Sequence, residues 1–334
     1  MKKIILVAMA FAALAACTKE TTVDVAREEI TFGNAFVDNS TKATSATDPS
    51  YSTTSGKGVA LEQFNVYGAV NGVNIFDGNT VSKGTAGYGA AWTLNGAKQY
   101  WIAGADYKFV GVVDGNKTNV TSIEFDDAGL PETITYTADG KTDLLCNVQT
   151  VNNATAPYRL VAFNYTHLLS KINFAVKNTT DASATNYRFV LTSAKLTNAY
   201  ESAEYDVNTG EWAPAATMRE FTLEDLIISS GATQYHSQEI LLIPGSAVGV
   251  YIAADIEATD DDPTAVDAVW TVVSTVEKTF ENALGKVGDT PKTLANATAY
   301  NFIVELGVGT EIQFTATTML EWTDGDGNDN TVLK

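Results

Sequence analysis

Along most of the chain, apolar residues recur at every second position over short stretches, and Gly, Asn, Asp and Pro separate one stretch from the next. That period places successive side chains on opposite faces of an extended strand. Ile172, Phe174 and Val176 alternate with Asn173, Ala175 and Lys177, and Tyr300 to Leu306 and Ile312 to Thr317 follow the same rule. Trp92 to Leu94, Tyr100 to Ile102, Tyr107 to Val113, Ile123 to Phe125, Ile134 to Tyr136, Leu144 to Val148 and Tyr158 to Tyr165 read as further strands. Asp114-Gly115 marks a turn after one of them. Later strands are expected at Tyr187 to Leu191, around Leu196, at Ala203 to Val207, at Ile240 to Pro244 and at Val248 to Ile256. Thr222 to Leu226 reads as a capped short helix or turn, with a hydroxyl ahead of acidic residues. Val266 to Leu284 fits either period, and its Val- and Thr-rich composition favours a strand. Many short strands with turn signals and almost no helical pattern predict an all-β chain of two β-sandwiches in tandem. The division is expected near Tyr165, giving 18–165 and 166–334.

The stretch from Glu28 to Val70 departs from this regular spacing. Ile30, Phe32 and Phe36 share one face of a strand, and Phe64, Val66 and Val70 share one face of the next. Between them, Asp38 to Gly58 holds ten Ser and Thr, a single aromatic residue, no bulky aliphatic, and two lysines, Lys42 and Lys57. A structureless linker of about twenty residues is uncommon inside a domain unless it is functional or disordered, and such loops are favoured sites of proteolysis. The first strand is therefore expected to hang on a tether that a protease can cut.

With 334 residues, 45% hydrophobic and 18% charged, the chain can bury sizeable cores. Its 40 acidic against 21 basic residues give a net charge of -19. That excludes the basic footprint nucleic acid needs and gives no attraction to anionic membrane surfaces. Residues 1–17 read as a targeting segment: Lys2 and Lys3, an apolar run from Ile4 to Leu14, then Leu14-Ala15-Ala16-Cys17. Small residues before a Cys resemble a bacterial lipobox, so Cys17 is the expected lipidation site. Its acyl chains would anchor the protein at the outer membrane without a spanning helix. Cys146 is then left without an intrachain disulfide partner and reads as a small buried hydrophobe.

Candidate chemistry is sparse, and no cofactor or metal is expected. His167 and His236 are the only histidines, and no nucleophile elbow, zinc spacing, phosphate loop or dinucleotide fingerprint accompanies them. His167 reads as a hydrogen-bonding group in a strand connection rather than as a base, and the chain as no enzyme. Asp324 to Asn330 has part of a calcium-loop order, but Asp329 stands where that loop requires Gly. A solvated acidic tail is the better reading. Trp92, Tyr100, Trp101 and Tyr107 could stack on a sugar, which gives the alternative of a surface glycan-binding lipoprotein. Aromatics in strands more often fill a core.

Several segments in order resemble the fimbrillin family of Bacteroidales, subunits of pili assembled from lipoprotein precursors. They are Leu14 to Cys17, Glu29-Ile30-Thr31-Phe32-Gly33, Thr41-Lys42-Ala43, Phe64-Asn65-Val66-Tyr67, Gln99-Tyr100-Trp101 with Tyr107-Lys108-Phe109, Ala162 to Ile172, Asn301 to Val304, Ile312, and Trp322 to Gly325. The resemblance implies transthyretin-like, Greek-key sandwiches and a location at the cell surface in a fimbrium. It also implies processing by a trypsin-like protease between Lys42 and Ala43, which releases a first strand of about Glu28 to Val37. The vacated groove would take a strand from another fimbrial subunit. The donor would come from about Ile312 to Leu333, with Ile312, Phe314, Leu320 and Trp322 as its inserting residues.

Overall fold

The period-two stretches become strands, and among the described residues no helix interrupts them. The computed structural model describes residues 28–37, 61, 63–83, 92–114, 118–181, 185–213, 217–223, 227–229, 233–235 and 240–318. The chain begins with β1 (Phe32–Val37), β2 (Gln63–Val70), β3 (Val73–Lys83), β4 (Trp92–Leu94) and β5 (Tyr107–Asp114). Next come β6 (Val120–Phe125), β7 (Pro131–Thr137), β8 (Leu144–Val151) and β9 (Val161–His167). The second part holds β10 (Ser170–Asn178), β11 (Tyr187–Tyr200), β12 (Ser202–Asp206), β13 (Met218–Thr222), β14 (Ile227–Ser229) and β15 (Thr233–Tyr235). It closes with β16 (Ile240–Leu242), β17 (Gly249–Ala258), β18 (Thr271–Phe280), β19 (Lys286–Val287), β20 (Thr290–Pro291), β21 (Ala299–Leu306) and β22 (Gln313–Thr318).

Seven strands form one sheet in the order β1-β9-β8-β5-β2-β3-β4. β1 runs parallel to β9, and the other neighbours are antiparallel. The middle strands β2, β5 and β8 are covered on both faces. Phe64, Val66, Tyr107, Phe109 and Leu145 belong to one core; Tyr67, Ala69, Val110, Val112 and Cys146 belong to a second. Burial on both faces is why Tyr107 to Val113 reads as a nearly unbroken apolar run.

The second core continues between two further sheets, β15-β10-β21-β22 and β13-β11-β17-β18. Ile172, Phe174, Phe302 and Val304 from the first share it with Phe189, Leu191, Val250 and Ile252 from the second, a sheet-on-sheet core. A small sheet, β12-β7-β6, sets Tyr205 opposite Ile134. A strand from beyond Tyr165 thus pairs with one from before it, and β9 itself runs through that position.

Some details depart from the sequence reading. Tyr100 to Ile102 forms no strand; Tyr100 makes one bridge, to Glu29. Gly104, at a φ of 77°, turns the chain directly afterwards. The separate stretches Tyr187 to Leu191 and Leu196 belong to one strand, β11. Thr222 is the last residue of β13; the helix or turn expected after it falls on positions 224–226, which lie outside the described residues. Thr271–Phe280 is a strand, as its composition indicated.

Candidate functional site

The first strand and its lead-in are gripped on both flanks. On one side, the Ile30 amide donates to the Gln99 carbonyl at 2.8 Å, and the Trp101 amide donates to the Glu28 carbonyl at 2.9 Å. On the other, the Val161 amide donates to the Thr31 carbonyl at 2.9 Å, and Phe32 and Gly33 lie in register with Val161 and Ala162. The segment therefore joins the β9 margin of the seven-stranded sheet to the chain just beyond β4. Removing it would leave backbone donors and acceptors bare along two margins, which is costly where they are shielded from water.

Side chains seal the same place. Ile30 and Phe32 are 1% and 4% exposed. The Phe32 ring meets Phe76 edge-on at 5.4 Å, Phe109 at 6.0 Å and Phe64 at 6.4 Å, and lies parallel to Phe163 at 6.4 Å. Burying such a ring contributes about 1.5–3 kcal/mol, and each well-oriented aromatic pair adds about 0.5–1.5 kcal/mol. Two glycines make room for the rings. A Cβ on Gly68 would stand 2.8 Å from Phe76 and 2.9 Å from Phe109, and one on Gly111 would stand 2.3 Å from the Tyr165 hydroxyl. Gly33 is the tight point of the strand itself, where a Cβ would stand 3.0 Å from Leu160 and 3.4 Å from Trp92. At the surface, Lys98 Nζ donates to Glu29 Oε2 at 2.7 Å.

The even alternation expected from Ile30 through Phe36 is interrupted. The register shifts between Gly33 and Phe36, setting Phe36 opposite Asn164 and Val37 opposite Tyr165. An extra residue in one strand displaces every later residue by one position. The side chains of 34–37 lie outside the described ones.

Of the expected donor residues, Ile312 is buried just before β22. Phe314 stacks on Phe280 at 5.1 Å and meets Phe302 edge-on at 5.4 Å. Among the described residues β22 pairs only with β21, so it forms a sheet edge. Leu320, Trp322, Cys17, Lys42, Ala43, His236 and the acidic tail lie outside the described residues.

The remaining candidates serve packing. Burial pushes the Cys146 thiol up to about 12, so it stays protonated, unlike a nucleophilic thiol. His167 Nδ1 shares a hydrogen bond with Asp143, tying the start of β8 to the end of β9. Trp101 is buried, stacked on Tyr158 at 5.4 Å and set edge-on to Tyr107 at 4.7 Å. Trp92 is half-buried against Phe64, and Tyr100 is exposed. Sequence reasoning passed over Gly68, Gly111 and Lys98. The glycines interrupt otherwise bulky strands, a legible sign of close packing, whereas nothing in sequence ties Lys98 to Glu29.

The sequence model described as fimbrillin-like matches residues 41–322. The chain belongs to the fimbrillin-like family. No curated protein matches it by sequence. Among solved structures, this fimbrillin-like chain is similar to a fimbrial protein from Bacteroides vulgatus, with a TM-score of 0.56 and 12% identity over 87% of this chain and 98% of that one. It is also similar to a protein of Bacteroides uniformis whose description proposes a role in cell adhesion, with a TM-score of 0.50 and 14% identity over 79% of this chain and 93% of that one. At such identities the likeness is one of fold: the fimbrillin-like chain shares an all-β architecture with both.

Proposed function

We propose that this protein is a structural subunit of a surface fimbrium that supports adhesion, assembled by exchange of its first strand. In this reading the precursor is exported as a lipoprotein on Cys17 and reaches the outer membrane. A trypsin-like protease cuts between Lys42 and Ala43, and the segment Glu28 to Val37 leaves. A strand from another subunit then fills the vacated place by strand addition.

One observation carries the reading: Ile30 and Phe32 are almost fully buried in a segment bonded on both flanks. A strand placed in this way is a plug, and its loss creates an apolar trench with two bare margins. Fimbrillin-like family membership supplies the assembly context, and Trp101, packed in the core, offers no open face to a sugar.

The test is limited digestion of the purified precursor with a Lys/Arg-specific protease. Mass spectrometry is expected to find a new N-terminus at Ala43, and gels are expected to show ladders of multimers that withstand detergent. A linker that resists cleavage, or a trimmed protein that stays monomeric at high concentration, would overturn the reading.

A further inference from the structure

In the second part of the chain, β11, β13, the turn before β17 and the β19–β20 hairpin enclose an open cavity of about 460 Å³, a size usual for small-molecule sites. Asn198, Tyr200, Met218, Asn282, Thr290 and Thr293 line it. No charged side chain is among its described lining residues, although the chain holds 40 acidic and 21 basic residues. The side-chain amides of Asn198 and Asn282 and the hydroxyls of Tyr200, Thr290 and Thr293 make no hydrogen bond to other described residues. Polar groups from four separate segments thus meet at one place with their hydrogen-bonding capacity uncommitted. Met218, 53% exposed, and the Tyr200 ring supply apolar surface beside them.

Hydrogen bonds hold the frame behind these groups. The register of β11 shifts between Leu196 and Ala199, and Asn198 there takes a φ of 58°, a left-handed conformation that Asn adopts more readily than most residues. Such irregularities re-aim a side chain. Two residues on, Tyr200 stands opposite Met218. The Tyr200 amide donates to Ser246 Oγ at 3.0 Å, and that buried hydroxyl donates to the Ile243 carbonyl at 2.8 Å. The Gly245 amide donates to the Leu294 carbonyl at 2.8 Å, and the Leu294 amide donates to the Ser246 carbonyl at 2.9 Å, which fixes Thr293 beside them. Gly245 has a φ of 86°, and a Cβ there would stand 3.1 Å from Tyr200 Cε2, so the ring rests against bare backbone. The Ala283 amide donates to the Val248 carbonyl at 2.7 Å and holds the neighbouring Asn282. The cavity is formed before any ligand arrives, which spares the ligand the cost of ordering it.

We propose that this cavity binds a neutral sugar ring, the terminal residue of a glycan on the surface to which the protein adheres. The inference rests on the adhesion part of the reading above for its setting; the cavity itself belongs to the uncleaved chain and needs no strand exchange. A sugar hydroxyl both donates and accepts, and so do the amides and hydroxyls that line the cavity. The C–H face of the ring packs against Tyr200 and Met218. A phosphate or carboxylate calls for Arg or Lys, which the lining lacks, and the net charge of -19 repels anions further. A wholly apolar ligand would strip water from the two amides and three hydroxyls without replacing their hydrogen bonds. The open mouth leaves the rest of the glycan in solvent.

The experiment uses the full, uncleaved chain and the methyl glycosides of glucose, galactose, mannose and N-acetylglucosamine, with that of glucuronic acid as the anionic comparison. Saturation-transfer NMR reads contact with each sugar at roughly 5 mM, a concentration suited to millimolar dissociation constants. At least one neutral glycoside is expected to bind, and the glucuronic acid glycoside to bind more weakly than it. Thr293→Val keeps the shape and removes a hydroxyl. Asn282→Asp removes the amide donors at a φ of 55° that Asp tolerates. Each is expected to weaken binding roughly two- to tenfold, as the loss of one hydrogen bond does. Tyr200→Ala is expected to weaken it at least about tenfold. Positions 282 and 293 are half-buried and exposed, so their variants keep the test decisive if Tyr200→Ala fails to fold. The site is overturned if no neutral glycoside binds, if the anionic one binds more tightly than all of them, or if Thr293→Val and Asn282→Asp leave binding unchanged. Each of these results leaves strand exchange standing, since digestion of the precursor tests that separately. A cleaved chain that stays monomeric, in turn, leaves sugar binding by the intact protein untouched.

Discussion

β1 and β18 show how little a strand's own composition says about its fate. β18, Thr-Val-Val-Ser-Thr-Val-Glu-Lys-Thr-Phe, is rich in β-branched residues and sits at the edge of its sheet. Val272 and Val273 on it are 49% and 57% exposed. β1 contains Gly and Asn and is only six residues long, yet Phe32 is 4% exposed and Ile30 just ahead of it 1%. The difference lies in the neighbours. The β1 segment, with its lead-in, has a bonded partner on each flank and a ring cluster beneath it, whereas among the described residues β18 is bonded only to β17. Burial is a property of the place, and β-propensity reports only how well a residue suits a pleated surface.

The sharpest way to break this comparison is to truncate Phe32. Phe32→Ala should cost about 3–5 kcal/mol, read as a fall in the urea midpoint with an unchanged slope. A loss below about 1 kcal/mol would mean that the ring cluster collapses without its centre, and β1 would then be no plug. Gly111→Ala should come next, at about 1–3 kcal/mol. Its Cβ would meet the Tyr165 hydroxyl at 2.3 Å in a core packed on both sides, and thermal unfolding would show the loss.

Those two positions also mark how far the fold could be read from residues alone. Period-two alternation identified β21 closely, because its buried positions Tyr300, Phe302, Val304 and Leu306 recur in fixed phase. The buried identity of Ile30 and Phe32 was legible for the same reason. The shift before Phe36 was not, since an irregularity of register leaves no mark in an apolar pattern. Nor was the parallel pairing of β1 with β9, or that of β12 with β7. Such partners lie far apart in the chain, and strand pairing depends on which edges are left free once the rest has folded. The exposure of Val272 and Val273 was hidden likewise, because what covers β18 is decided by other strands.

At the β18 end of the comparison the expected effect is small. Val273→Ser should change stability by less than about 0.5 kcal/mol, measured by the same urea titration used for Phe32→Ala. A cost near that of Phe32→Ala would mean that this face of β18 is covered in solution.

The smallest effect separates the two strands by charge. A surface ion pair lies at each, Lys98–Glu29 beside β1 and Lys278–Glu311 between β18 and the start of β22. The hydrogen bond and the charge of Glu29 raise the Lys98 pKa above its usual value, against a slight opposing effect of burial. The contribution of the raised Lys98 group is therefore present at neutral pH and is lost as alkali carries the solution through the raised value. The hydrogen bond and the charge of Lys278 hold the Glu311 carboxyl below the usual glutamate range. Its contribution is present above that range and fades as acid carries the solution down through the lowered value. Acid should thus loosen the β18–β22 contact. An NMR titration of the Glu311 side-chain carboxyl should find its midpoint below that of a free glutamate, and Lys278→Met should return it to the ordinary range. A midpoint that Lys278→Met does not move would show that the pair does not persist in water, and the start of β22 would then be held by Ile312 and Phe314 alone.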